Sequence, residues 1–162
     1  MSYLIRDAQI EDSLLLAGLI RTSFQDVARR FSLTEENAPR HPSNCTQEWV
    51  TSALERGVRH YVLETGEAAC GCVALEQISN EVCYLERLCV LPGFRGQGFG
   101  SNLVNHVIDA GRGLKAHRLE IGIIAADTHL RNWYEHLGFT QTHTALFAHL
   151  PFEVAFMELE LK

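Results

Sequence analysis

Arg95-Gly96-Gln97-Gly98-Phe99-Gly100 lies between two segments of different periodicity. Upstream, Val82 to Leu91 reads as a strand, and Pro92-Gly93 punctuates its exit. Downstream, Leu103, Val104, Val107, Ile108 and Leu114 recur at helical spacing. The order is strand, glycine-rich turn, helix. Such a turn aims unpaired backbone N–H groups and the positive end of a helix dipole at one point, which favours a phosphate anion. Arg95 adds a positive charge beside it. A P-loop would need Gly-Lys-Ser/Thr, which is missing here. A dinucleotide fingerprint needs Gly-x-Gly-x-x-Gly near the first strand, with an acidic residue about 20 positions later. Gly96, Gly98 and Gly100 alternate instead, and follow several earlier strands. Alternate glycines with an arginine exceed what a bare turn needs.

Working outward from this turn, the elements before it are a first strand over Tyr3 to Asp7 and a helix carrying Leu14, Leu15, Leu16, Leu19, Ile20, Phe24 and Val27. Ser32 to Cys45, with Pro39 and Pro42, reads as a loop with one short turn. Thr46 caps a second helix bearing Trp49, Val50, Ala53 and Leu54, which stops at Gly57. Val58 to Thr65 and Ala69 to Gln77 flank Gly66-Glu67 as a hairpin. After the turn, Leu119, Ile121 and Ile123 alternate as a strand. Asp127 or Thr128 caps a helix with Leu130, Trp133, Tyr134 and Leu137, closed by Gly138. Phe152 to Leu161 is strand-like, but its apolar residues change parity, which a bulge near Phe156 would reconcile. The pattern predicts one α/β (α+β) domain over residues 1–162. Its sheet is mixed and mostly antiparallel, with roughly six or seven strands and about four flanking helices.

Composition narrows the partners. Twenty acidic against fourteen basic residues leave a net charge of −6, and Lys115 and Lys162 are the only lysines. That balance argues against nucleic acid. No apolar run reaches the ~20 residues of a membrane helix. The start, Met1 to Asp7, lacks a signal-peptide layout, so the expected setting is cytoplasmic. Cys70, Cys72, Cys83 and Cys89 lie in strand-like segments and read as reduced, buried, small apolar residues. No histidine pair has metal-ligand spacing, and no metal is expected.

The turn resembles the Gln/Arg-x-x-Gly-x-Gly/Ala signature of the GNAT superfamily of acyl-CoA-dependent N-acyltransferases. Leu88-Cys89-Val90-Leu91-Pro92 is similar to the strand end that precedes it there, and Asn132 to Phe139 resembles the family's "Phe-Tyr-x-x-x-Gly-Phe" segment. The resemblance implies splayed central strands, ending at Val90 and Ile124, that form a cleft for acyl-CoA. It implies that the backbone of Leu88, Cys89 and Val90 faces the pantetheine and thioester. Arg95, Gly96, Gln97, Gly98, Phe99, Gly100 and Ser101 are then implied to hold the pyrophosphate. One departure is Asp127 and Leu130, where such families often carry Asn and Ala. A carboxylate beside an anionic cofactor is unwelcome, so Asp127 reads as a helix cap.

Tyr134 shares a stripe with Leu130 and Leu137, which by itself reads as a core position. The resemblance assigns it instead as the general acid beside the CoA sulfur: a phenol with pKa near ~10 can protonate a thiolate whose conjugate acid lies near ~8.5. Glu86 interrupts an apolar row and needs hydration or a partner. Arg87, its neighbour, points to the opposite face in a regular strand. The resemblance makes Glu86 the group that deprotonates the acceptor amine, through water, for direct attack in a ternary complex. No cysteine has a histidine partner suited to an acyl-enzyme. The implied function is transfer of an acetyl group from acetyl-CoA to a primary amine of a small molecule or peptide. A catalytically silent acyl-CoA-binding sensor is the alternative. Phe24, Phe31, His41 and Trp49 are acceptor-pocket candidates, with His143, His149 and Phe152 behind them. A homodimer paired through the final strand is a further expectation.

Overall fold

The computed structural model describes residues 2–66 and 68–162. Seven strands form one sheet: β1 (Leu4–Asp7), β2 (Arg59–Thr65), β3 (Ala68–Gln77), β4 (Val82–Val90), β5 (Arg118–Ile124), β6 (Thr140–Leu146) and β7 (Glu153–Glu160). They lie side by side in the order β1-β2-β3-β4-β5-β7-β6. Every neighbouring pair is antiparallel except β4 and β5. The helices are α1 (Ser13–Ser23), α2 (Gln25–Arg30), α3 (Gln47–Glu55), α4 (Phe99–Gly113) and α5 (Thr128–His136). This is the mixed, mostly antiparallel α/β sheet expected from the sequence.

Strand alternation divides the core between the two faces of the sheet. On one face, Leu103, Val104 and Val107 of α4 and Tyr134 of α5 pack on Leu63, Val73, Leu85, Leu119, Ile121 and Met157. On the other, Leu16 and Ile20 of α1 and Val50 of α3 pack on Val62, Cys72 and Cys89. All five cysteines are free and buried.

The gap that matters lies between β4 and β5. They pair only from Val82 to Tyr84 against Arg118 to Glu120, and then separate. A bulge in β4 accompanies the separation: Ala74 opposes Glu86 while Cys72 opposes Cys89, so two steps of β3 meet three of β4. Arg87, inside the bulge, has φ of +54°, a left-handed conformation that a side chain normally avoids. Bulges bend a strand and re-aim its side chains. The expectation that Arg87 faces away from Glu86 is therefore corrected.

Three further readings shift. The first helix breaks at Phe24, where ψ rises to about 1°, so α1 and α2 replace one continuous helix. β7 needs no bulge, because both of its faces are covered: Ala155 and Met157 meet the helix core, and Val154 and Phe156 line a cavity. The irregularity lies one strand over, in β6 between Gln141 and His143. The final strand, β7, sits between β5 and β6 and has no free edge to pair across an interface. The hairpin of β2 and β3 turns through Gly66, while Glu67 lies outside the described residues.

Candidate active site

The splay of β4 from β5 opens a cleft that reaches both sides of the sheet. Its first part, about 420 Å³, is lined by the end of β4, the glycine turn and the starts of α4 and α5. Its second part, about 460 Å³, is lined by β4, β5, β7 and the loop after α2. Phe24, Val27, Leu88, Asp127 and Leu130 line both parts, so the two form one continuous path.

The glycine turn makes one end of that path. Gly96 and Gly98 have φ of +81° and +84°, values that favour glycine, and a Cβ on either would meet only open space. Space for a ligand, not crowding, surrounds them. Gly98 is the N-cap of α4 and supplies no side-chain oxygen, and no acidic residue occupies the first turn. Asn102 is the first residue whose N–H returns to Gly98 O, which leaves the N–H groups of Phe99, Gly100 and Ser101 outside the helix ladder. Three bare donors at a helix N-terminus match the needs of a phosphate.

Leu88, Cys89, Val90, Gly96, Gly98, Phe99, Gly100 and Ser101 all line this first part, while exposed Gln97 lines neither. Arg95 lines it too, but its guanidinium is already engaged. It donates to Asp26 Oδ2 at 3.1 Å, Ser23 O at 2.8 Å and Val90 O at 2.9 Å. It ties α1 and α2 to the end of β4 and is no free charge. Asp127 does cap α5, accepting from Leu130 N at 3.2 Å, and its second oxygen faces Arg30 at 3.4 Å. Arg30 thus offsets the carboxylate that the sequence left exposed to an anionic ligand.

The second part holds Tyr134 and Glu86. Tyr134 is clamped edge-on between the rings of Trp133 and Phe139, at centroid distances of 4.9 and 5.3 Å. Burial pushes its phenol well above the usual value, so it stays protonated. Burial also raises Glu86, with Arg87 opposing that shift. Of the acceptor candidates, Phe24, His41 and Phe152 line this cavity, and Phe31 and Trp49 do not. Phe31 packs in a separate cluster with Ala28 and Leu33. His143 stacks on Phe156 from the edge strand, and His149 stands by Phe147, both outside the cavity wall. His41 Nδ1 accepts from Ser43 N at 3.2 Å, and burial lowers its pKa, so the ring is neutral.

The model of the acetyltransferase (GNAT) family matches residues 21–139. The chain belongs to that family. Solved structures agree on the fold. PaiA N-acetyltransferase of Thermoplasma acidophilum, in complex with coenzyme A, superimposes with a TM-score of 0.82 over 99% of each chain at 17% identity. The ribosomal-protein-S18-alanine N-acetyltransferase of Escherichia coli gives 0.75 at 16% identity, covering 99% of this chain and 95% of that one. A GNAT family acetyltransferase of Elizabethkingia anophelis with acetyl-CoA bound gives 0.66 at 16% identity over 98% of each chain. No curated protein sequence matches significantly.

Three residues of this GNAT site carried no signal in the sequence. Tyr84 forms the cavity floor, with its phenol raised to about 12 by burial and then by Glu86 and Glu120. Gly122 lies beneath it: a Cβ there would stand 2.7 Å from the Tyr84 hydroxyl. Arg40 reaches the cavity from the Ser32 to Cys45 stretch, whose sequence marks only a loop with one short turn. Each depends on a contact between distant segments, which periodicity does not encode.

Proposed function

We propose that this GNAT protein transfers an acetyl group from acetyl-CoA to a primary amine of a small molecule or peptide, by direct attack in a ternary complex. The observation that carries the reading is the continuous cleft. It joins three bare helix N–H groups at one end to Tyr134 and Glu86 at the other, through Leu88. The bound thioester supplies the activated acyl group; the rest is done by the chain. The α4 N-terminus and Gly96 to Gly98 receive the pyrophosphate. Backbone groups of Leu88 to Val90 run along the pantetheine arm.

An amine with pKa near ~10 is mostly protonated at neutral pH and cannot attack. Glu86, with its carboxyl raised by burial, is better matched to take that proton than an ordinary glutamate, directly or through water. Tyr134 keeps its proton and can give it to the departing thiolate. The walls of Phe24, Val27 and Leu130 limit water at the junction.

The test is Tyr134→Phe. Acid–base groups contribute about 10²–10⁴-fold, so turnover of acetyl-CoA with an accepting amine should fall by about 10²-fold. Acetyl-CoA should still raise the melting temperature as it does in the parent protein, because binding stabilises only the native state. Undiminished turnover would overturn the role of Tyr134. Binding without release of CoA across amino acids, polyamines, aminoglycosides and peptide N-termini would mark a silent acyl-CoA sensor instead.

A further inference from the structure

The acceptor cavity has an unusual charge pattern. Glu86 and Arg87 are neighbours in the chain, and in a regular strand they would face opposite sides of the sheet. The bulge at Arg87, with its φ of +54°, brings both onto the same cavity wall. A left-handed arginine is strained, and such strain concentrates where a side chain must be aimed. Among the described residues the two form no salt bridge with each other, and Arg87 Nη1 is buried without a hydrogen-bond partner. A buried, unpaired guanidinium N–H is costly unless a visiting group satisfies it.

A second cation stands beside it. Arg40, on the loop over the cavity, places its guanidinium carbon 4.7 Å from the centroid of the Trp49 ring, and that of Arg87 lies 5.8 Å from the same ring. Both arginines line the cavity, and neither has a carboxylate partner among the described residues. Two like charges gathered at one aromatic ring, in a chain of net charge −6, call for an anion. Beyond them the walls are apolar: Tyr84, Ile124, Phe152, Val154 and Phe156.

We propose that the acceptor is a free α-amino acid with an apolar or aromatic side chain. Its carboxylate binds between Arg87 and Arg40, its amine faces Glu86, and its side chain lies on Tyr84 and Phe156. The adjacent opposite charges of Glu86 and Arg87 mirror the adjacent charges of the zwitterion. Trp49, an expected pocket wall, becomes the platform that holds the two guanidinium groups. A polyamine would set a second cation against two arginines and is rejected. This assignment rests on the transferase reading above.

The test compares L-phenylalanine with phenethylamine, L-phenylalaninamide and spermidine as acceptors for acetyl-CoA. Loss of a charge-assisted contact leaves buried polar groups unpaired. On that ground kcat/KM for L-phenylalanine should exceed that for each of the other three by about 10- to 100-fold. In Arg87→Gln and in Arg40→Gln this preference should fall toward unity, mainly through KM for L-phenylalanine. Arg40 is exposed, so its variant carries the test if Arg87→Gln unfolds. Equal or better turnover of phenethylamine, the amide or spermidine overturns the acceptor class while leaving the transferase reading intact. An unchanged preference in Arg40→Gln overturns it as well. Turnover of none of the four, or of any amine in the wider panel, while acetyl-CoA still raises the melting temperature, overturns both together.

Discussion

Glu86, as the proposed base, would serve activity at a cost to stability. Burial raises its carboxyl above the usual 4.5, so the native state holds that proton more tightly than the unfolded chain does. The stability it contributes is full below the unfolded value and is lost as pH rises through the folded one. At pH 7 its ionised form is therefore a burden on the fold. Glu86→Gln removes the charge while keeping the shape. We expect kcat/KM with the accepting amine to fall by about 10²-fold, while the melting temperature at pH 7 rises by about 2–4 °C. Calorimetry and a CoA-release assay on one preparation read both. A structural carboxylate held by an ion pair gives the opposite pair of results, a lower melting temperature with activity retained.

At the scale of elements, what could be read in the sequence and what could not divide along physical lines. The turn before α4 was legible because positive φ at Gly96 and Gly98 selects glycine, which leaves a mark in the chain. The cap at Asp127 was legible for a similar reason, since its carboxylate serves a backbone N–H three residues on. β6 was not. It is an edge strand of Thr, Gln and His with almost every residue exposed, so no apolar alternation marks it. The bulge of β4 was hidden because its left-handed residue is arginine. The engagement of Arg95 by Asp26 joins segments far apart in sequence and is equally silent there. Gly122 in β5 belongs with these. Its missing side chain gives the Tyr84 hydroxyl a place to lie, with Val154 Cγ1 3.3 Å from where a Cβ would stand. Gly122→Ala is therefore expected to displace Tyr84 and raise the acceptor KM by about 10-fold, on the scale of a lost methylene-sized fit. The melting shift by acetyl-CoA should be unaffected, since Gly122 lines only the second part of the cleft. An unchanged acceptor KM would show that Tyr84 does not shape that floor.

Across the whole molecule, acid stability turns on a residue that lines neither part of the cleft. His60, in β2 and 2% exposed, donates from Nδ1 to Val58 O at 3.2 Å, and its Nε2 is buried without a partner. Burial disfavours the imidazolium and holds its pKa at about 4, with the positive charge of Arg87 adding in the same direction. The folded value is depressed, so the stability it contributes is full above the unfolded value of 6.5 and is lost as pH falls toward 4. At about 1.36 kcal/mol per unit, the loss approaches about 3 kcal/mol, a sizeable share of the roughly 5–15 kcal/mol that holds a domain together. His41, also lowered by burial, adds to the same window. At Asp26 burial is outweighed by Arg95 and its neighbours, and Arg6 holds Asp12 low, so the stability these carboxylates contribute is lost only as pH falls below their unfolded value of 3.8. Glu86 runs the other way and gains as pH falls. The window between 6.5 and 4 is thus governed mainly by one buried imidazole. Urea midpoints measured from pH 7 to pH 4.5 should fall steadily in the parent protein. In His60→Phe the fall should be markedly shallower, whatever its midpoint at pH 7. Equal slopes in the two proteins would place the acid-sensitive group elsewhere than in the β2 core.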